Sequence, residues 1–290
     1  MANVEPSPTV MDKLDYLVIG HVTRDIVSDG FMVGGTASYA ARTALALRCQ
    51  VGIVTSVGFD FDWQQAVGDA RVASYPAEHT TTFENVYASN GRRQILRHVA
   101  ETLRPIMVPA HWKADIIHVG PVAQECSPEL LDLFRDAFLG ITPQGWMRCW
   151  DESGQINPCQ WEDAAHGLAQ ADAVVLSEED VAGDEALAAL YARQTQVLAL
   201  TQGAAGCTVY AEGQTRHFPA LQVQALDATG AGDVFAAAFF VALRRRNDPW
   251  AAARFANGVA ALSVTQKSLA GVPGSDEIPA ELWDMLEKGA

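Results

Sequence analysis

The residues with the clearest chemical use stand in one run, Asp227-Ala-Thr-Gly-Ala-Gly-Asp233, directly before an apolar stretch that begins at Val234. Gly230 and Gly232 permit positive φ and let the backbone pass close to a ligand. If a helix starts here, the N–H groups of Ala231, Gly232 and Asp233 have no intrahelical partners and point outward at the positive end of its dipole. That is an anion site able to hold a transferring phosphoryl group. A carboxylate placed on an anion site calls for a second task. Asp233 can accept the proton of an attacking hydroxyl, an effect typically worth ~10²–10⁴ in rate. The plain structural alternative is an Asp-capped helix start with glycines for a tight turn.

Two other phosphate loops are excluded by inspection. There is no G-x-x-x-x-G-K-[ST], and no Lys lies near this turn. Nor is it G-x-G-x-x-G, because Phe235 stands where the third glycine belongs.

The elements that must position such a turn follow from the apolar pattern. Tyr16–Gly20, Val51–Val57, Asp115–Gly120, Ala173–Ser177 and Val197–Thr201 are short apolar runs of the kind buried on both faces of a parallel sheet. They alternate with helical patterns over Ala37–Leu47, Pro128–Phe138, Glu179–Ala192, Ala231–Arg246 and Pro249–Thr265, where Asp248 is a candidate N-cap and Pro249 fits a first helical position. The pattern predicts an α/β chain with a mostly parallel central sheet flanked by helices. One segment breaks the rhythm: Thr80–Ser89 and Arg92–Ala100 are strand-like runs around Asn90-Gly91, a strong hairpin signal. With no crossover helix, it is expected to project from the sheet as a small β lid.

Composition narrows the function. The 290 residues suit one large domain, expected over 14–290 after a disordered leader at 1–13, with Met11 a candidate second start. Thirty-five acidic against 20 basic residues give a formal charge of −15, so there is no basic stripe for a nucleic-acid backbone. No apolar run approaches the ~20 residues of a membrane span. Cys49, Cys126, Cys149, Cys159 and Cys207 form no CxxC pair, which suits a reducing, cytoplasmic setting.

The run D-x-T-G-A-G-D before an Ala-rich helix closely resembles the signature of the PfkB (ribokinase-like) carbohydrate kinases, and the resemblance extends along most of the chain. It implies a three-layer ribokinase-like fold, with lid strands around 30–34 and 80–100, ATP and Mg²⁺ as cofactors, and K⁺ as a further candidate. Asp233 then becomes the general base, with Gly230, Ala231 and Gly232 as the anion hole. Gly34-Gly35 resembles the substrate-binding Gly-Gly, and Asp25, expected in the loop after the first strand, the carboxylate that holds sugar hydroxyls. Thr201, Gly203 and Gly206 resemble the T-x-G-x-x-G turn along the nucleotide phosphates, and Asn257 lies in the helix that flanks the adenine. Asp227 and Thr229 stand where the family can supply oxygens to a monovalent cation.

Two positions depart from the family pattern. The N-x-x-E that organises Mg²⁺ is Ser177-Glu-Glu-Asp180 here, which leaves Asp180 and Glu179 as candidate ligands. The Asn of G-G-x-x-x-N is Tyr39, which removes an amide suited to furanose hydroxyls. An aromatic there, with Thr80-Thr-Thr-Phe83 and Val57-Gly-Phe-Asp60, is similar to the myo-inositol kinase branch. The implied acceptor is a small polyol such as a cyclitol, and the oligomeric state a monomer or a lid-mediated homodimer.

Lid residues Arg92, Arg93 and Arg97 are candidates for closing over substrate or phosphates, with edge-protecting charge as the alternative. His21 at the tip of the first strand reads as a hydrogen-bonded structural group, the Trp residues as packing, and the cysteines as small buried apolar groups. A nucleoside kinase and a catalytically silent ligand sensor are the rival functions.

Overall fold

The structure, a computed structural model, describes residues 12–27, 30–60, 62–88 and 91–287. Most of the expected leader, Asn90 of the expected Asn-Gly turn and the side chain of Arg92 lie outside the described residues. Asp12 and Lys13, expected in the leader, already belong to the first strand and pair with Trp112 and Lys113.

Strands β1 (Asp12–Ile19), β2 (Thr23–Val27), β3 (Gly30–Gly34), β4 (Val51–Val57), β5 (Arg71–Pro76), β6 (Thr82–Ala88) and β7 (Gly91–His98) fill the first third. They are followed by β8 (Trp112–Val119), β9 (Phe138–Ile141), β10 (Arg148–Trp150), β11 (Ile156–Pro158), β12 (Ala173–Ser177), β13 (Val197–Thr201), β14 (Cys207–Ala211) and β15 (Gln214–Phe218). The helices are α1 (Thr36–Ala46), α2 (Ala164–Gln170), α3 (Glu185–Ala192), α4 (Ala231–Arg246), α5 (Pro249–Ser263) and α6 (Ala280–Glu287).

The central sheet runs β15-β14-β13-β12-β9-β8-β1-β4-β5, with parallel pairing from β13 to β5 and an antiparallel β13–β14–β15 edge. The β14–β15 turn is Glu212-Gly213, both at positive φ (54° and 70°), as a tight hairpin with the sheet's twist requires. Two apolar cores sandwich the sheet. One packs α1, α4, α5 and α6 on one face; the other packs α2, α3 and the 3-10 segment Pro128–Leu133 on the opposite face. The expected three layers are therefore present.

Helix α4 lies at the centre of its core: every residue from Val234 to Leu243 is buried. The longest apolar run in the chain is thus a core helix, and no helix among the described residues is long and apolar enough to cross a membrane.

The expected helix over Pro128–Phe138 is corrected. Only Pro128–Leu133 is helical, as 3-10 turns, and Phe138 opens strand β9. That short strand fits because Gly140 lies under the Phe240 ring, 2.7 Å from where a Cβ would stand, and the Leu139 N–H donates to Asp172 (2.7 Å). The helix expected over Glu179–Ala192 begins late, at Glu185, because Asp184 caps it through the Leu187 N–H (3.0 Å) and Gly183 turns the chain at φ 74°. Asp248 caps α5 through the N–H groups of Trp250 (2.8 Å) and Ala251 (3.0 Å), as expected.

A second sheet, β3-β2-β6-β7, projects beside the first. It contains the expected lid strands and also β2, which carries Asp25. Asp25 was expected in a loop; instead it is paired with Met32 on one side and Phe83 on the other. The β10–β11 hairpin leans on this lid through the Leu96 N–H, which donates to the Gly154 carbonyl (2.8 Å).

Candidate active site

The Asp227–Asp233 turn sits where α4 begins. Gly230 is its N-cap in the left-handed region (φ 77°, ψ −1°), and no side chain caps the helix. The Ala231 N–H is already given to the Ala228 carbonyl (3.2 Å), which corrects its expected place in the anion hole, and the Gly232 and Asp233 amides are left facing the dipole-positive end. The turn is suspended from the end of α5, since the Leu226 and Asp227 N–H groups donate to the Val264 carbonyl (2.7 and 3.2 Å). Asp227 spends both carboxylate oxygens on backbone, taking N–H bonds from Thr229 and Ser268 (2.9 Å each), so its geometry and that of Thr229 are fixed together.

Asp233 is ringed by protein yet keeps a partly open face, which is the exposure a reacting hydroxyl needs. Burial pushes its carboxyl up to about 6; the Thr36 hydroxyl and the Arg148 guanidinium oppose that rise, while the charges of Asp180 and Asp25 add to it. The Thr36 Oγ1 donates to Asp233 Oδ1 at 2.7 Å. A carboxylate tuned to this range is a competent base near neutral pH.

The acceptor side is built from β2 and the start of α1. The Asp25 carboxylate lies directly over Gly34: a Cβ there would stand 2.7 Å from Asp25 Oδ2. Thr23 Oγ1 donates to Asp25 Oδ1 (3.0 Å) and steadies it. Gly35 needs to be glycine twice over, being at φ 85° with a would-be Cβ 2.3 Å from the His21 carbonyl. His21 itself is fully buried between Thr81 Oγ1 (2.6 Å) and the Glu101 carbonyl (3.0 Å), and burial lowers its pKa. It is the expected structural group.

Tyr39, the aromatic at the Asn position of the family pattern, packs toward the anion turn. It is buried, its ring rests against Gly230, and its hydroxyl is 3.2 Å from Ser268 Oγ. Arg93 is exposed on β7, and Arg97 is held by Glu84 (2.5–2.8 Å).

On the other side, Thr201 ends β13 beside Ser177 of β12, at the carboxyl ends of two parallel strands, where open α/β sheets hold ligands. Gly203 (φ 55°) and Gly206 (φ 106°) make the turn that follows. Asn257 gives its amide to the Phe218 and Pro219 carbonyls (3.0 and 3.4 Å), fixing the segment after β15. Asp180 folds back on its own turn, accepting from the Ser177 N–H (2.8 Å) and the Gln144 amide (3.3 Å), and Glu179 is exposed. Among the described residues no three His, Cys, Asp or Glu side chains form a metal cluster. This donor set fits Mg²⁺ only in the manner of a cation that arrives on phosphates and needs one or two carboxylates.

A model of the pfkB family of carbohydrate kinases matches residues 22–273. The chain belongs to that family. It is 27% identical over 254 residues to a cytidine kinase of Thermococcus kodakarensis, covering 80% of this chain and 89% of the relative. It is 27% identical over 294 residues to an inositol 3-kinase of Zea mays, covering 90% and 74%. A pyrophosphate-dependent kinase of the ribokinase family, complexed with a pyrophosphate analogue and myo-inositol, superposes with a TM-score of 0.75 at 19% identity, covering 93% of this chain and 99% of that one. This pfkB-family protein is therefore a phosphotransferase with the ribokinase-like fold, a carbohydrate or nucleoside kinase acting on a hydroxyl.

Three residues in and around the candidate site escaped sequence reasoning. Thr36 sits one position after Gly34-Gly35, but its contact with Asp233 spans 197 residues. Arg148, on β10, lies with its guanidinium 6.0 Å from the Phe83 ring centre and favours the Asp233 charge. Glu125 is buried and takes the N–H groups of His21, Val122 and Ala123 (3.2, 2.9 and 2.6 Å), joining the end of β1 to the loop after β8. No local motif announces any of them.

The Asp233 geometry sets a pH dependence. With Asp233 as the base, transfer would need the ionised carboxylate, and kcat would fall on the acid side with a midpoint near 6. Thr36→Val removes a donor that favours the ionised form and should move that limb to higher pH. A kcat profile over about pH 5 to 8 reads both; an unmoved limb would detach Thr36 from the base.

Proposed function

We propose that this kinase transfers the γ-phosphoryl group of ATP to a ring hydroxyl of a small polyol, with a cyclitol such as myo-inositol as the acceptor, and with Asp233 as general base. The observation that carries the reading is the Asp233 carboxylate, partly open, bonded to Thr36 and standing one residue beyond amides that no side chain caps.

Asp25 accepts hydrogen bonds from two neighbouring hydroxyls and, with the Gly34-Gly35 backbone, turns a third toward Asp233. Asp233 removes that hydroxyl's proton as the oxygen attacks. The N–H groups of Gly232 and Asp233 take up charge on the equatorial oxygens of the phosphoryl group. The lid β3-β2-β6-β7 keeps water from competing as acceptor. Asp180 and Glu179, together with the donor phosphates, would hold Mg²⁺, which would supply neutralising charge for the leaving group. Thr201, Gly203 and Gly206 would line those phosphates, and Asp227 and Thr229 could offer oxygens to K⁺.

The cyclitol reading is supported by the inositol 3-kinase of Zea mays, which this chain resembles over nine-tenths of its length, and by the myo-inositol bound to the pyrophosphate-dependent relative. The nucleotide reading is supported by the irregular segment between β15 and the anion turn. It exposes Leu221 (57%), Val223 (41%) and Leu226 (62%), an apolar surface suited to cover a nucleobase and without use for pyrophosphate.

A panel of myo-inositol, ribose, fructose and cytidine, each with ATP or with pyrophosphate, tests the proposal. The expected result is ADP release driven by myo-inositol. Turnover only with cytidine would make the enzyme a nucleoside kinase, and turnover only with pyrophosphate would replace the donor. Binding of an acceptor with no transfer from either donor would leave a silent sensor.

A further inference from the structure

We propose that Tyr39 is a positioning residue that braces the anion turn from beneath and ties it to the helix that carries the acceptor site. The inference rests on the reading of Gly230–Asp233 as the seat of phosphoryl transfer.

A Cβ built on Gly230 would lie 2.2 Å from Tyr39 Cε1 and 2.4 Å from both Cδ1 and Cζ. The ring is therefore pressed flat against the Gly230 backbone, at the one turn residue held in the left-handed region (φ 77°). Glycine leaves that conformation at little energetic cost, so an anion hole built on it needs an external support to keep its amides aimed. With no side-chain cap on α4, the ring supplies that support.

The hydroxyl adds a second tie. It meets Ser268 Oγ at 3.2 Å, and Ser268, itself at φ 51°, gives its N–H to Asp227 Oδ2 (2.9 Å). Asp227 Oδ1 in turn takes the Thr229 N–H (2.9 Å). Both ends of the turn thus refer back to Tyr39. The same helix, α1, begins at the acceptor glycines and places Thr36 on Asp233 (2.7 Å), so the acceptor glycines, the base and the anion turn of α4 all bear on one rigid helix. Burial among the carboxylates of Asp25, Asp227 and Asp233 drives the phenol far above its ordinary pKa and keeps it a neutral hydroxyl.

A residue that only filled the core would affect stability and leave transition-state binding in step with ground-state binding. A brace affects the two differently. The experiment compares wild type, Tyr39→Leu and Tyr39→Phe well below their melting temperatures, measuring kcat, acceptor KM, and binding of ADP alone and of ADP with aluminium fluoride and Mg²⁺. Tyr39→Leu, which removes both ring and hydroxyl, should lower kcat about 10-fold and weaken the aluminium fluoride complex by a similar factor. That is less than the loss of an oxyanion donor outright. Acceptor KM and ADP binding should stay within about 2-fold. Tyr39→Phe, which keeps the ring, should lose about 3-fold in the same two quantities.

Wild-type turnover in either variant overturns the inference, as does a loss in which ADP alone weakens as much as its aluminium fluoride complex. Should the Leu variant fail to fold, the Phe variant decides by the same readings. Wild type measured in parallel separates the two levels. If wild type neither transfers nor binds the complex, the site reading fails; if it does both and the variants match it, only the role of Tyr39 fails.

Discussion

Asp233→Asn is expected to lower kcat by at least ~10²-fold, with little change in donor affinity and no fall in melting temperature. The amide is nearly isosteric and can still accept from the Thr36 hydroxyl through its oxygen, so the local structure has no reason to move. What it cannot do is take a proton. Burial already works against the ionised carboxylate, so a neutral group at this position should be tolerated or even stabilising. Activity and stability are thus expected to part company, which marks a functional group rather than a structural one. Steady-state kinetics alongside a thermal melt checks both halves. A variant that turned over at the wild-type rate would remove Asp233 from the chemistry, and one that lost rate and fold together would make it a structural cap.

The second large effect belongs to Gly230→Ala. The residue lies at φ 77°, where a side chain is strained, and its new Cβ would stand 2.2 Å from the buried ring of Tyr39. Either the turn opens or Tyr39 shifts, and each outcome redirects the amides that cradle the phosphoryl group. We expect kcat to fall by about 10²-fold or more, as for lost oxyanion donors, together with a destabilisation of about 1–3 kcal/mol. Gly232→Ala is the matching control. A Cβ there meets nothing within 4 Å and the backbone is already helical, so stability should hold or rise by up to about 1 kcal/mol. The methyl group would nevertheless project into the open space in front of the amides, and kcat should drop. Two glycines separated by a single residue would then differ in stability and agree in activity. Equal melting temperatures for the two variants would contradict the packing described for Gly230.

How much of this was legible in the sequence follows from what each feature depends on. The anion turn, Gly34-Gly35 and the buried strands β1, β4, β8, β12 and β13 are local in character. Their glycines, carboxylate and apolar runs carry the signal without help from the rest of the chain. Strand β9 was not legible, because four residues ending a polar stretch acquire their place only from the Phe240 ring above Gly140 and from the neighbours β8 and β12. Asp25 was recognised as a residue but placed in a loop, since β2 owes its strand pairing to β3 and to the distant β6. Tyr39 was noticed as a departure from a family pattern, yet its part depends on Gly230 and Ser268, nearly 200 residues and more away in the chain. Thr36 and Arg148 show the same limit: they act on Asp233 through contacts that only the assembled sheet creates. Cys149 and Cys159, expected to be buried, are only partly so, because they lie on the short β10–β11 hairpin and its exit rather than in the core.

The most direct measurement is a crystal structure of the wild-type enzyme with myo-inositol, ADP, Mg²⁺ and aluminium fluoride. The fluoride-bearing group is expected on the N–H groups of Gly232 and Asp233, with one acceptor hydroxyl between it and the Asp233 carboxylate. An anion seated elsewhere, or an acceptor whose hydroxyls all face away from Asp233, would contradict it.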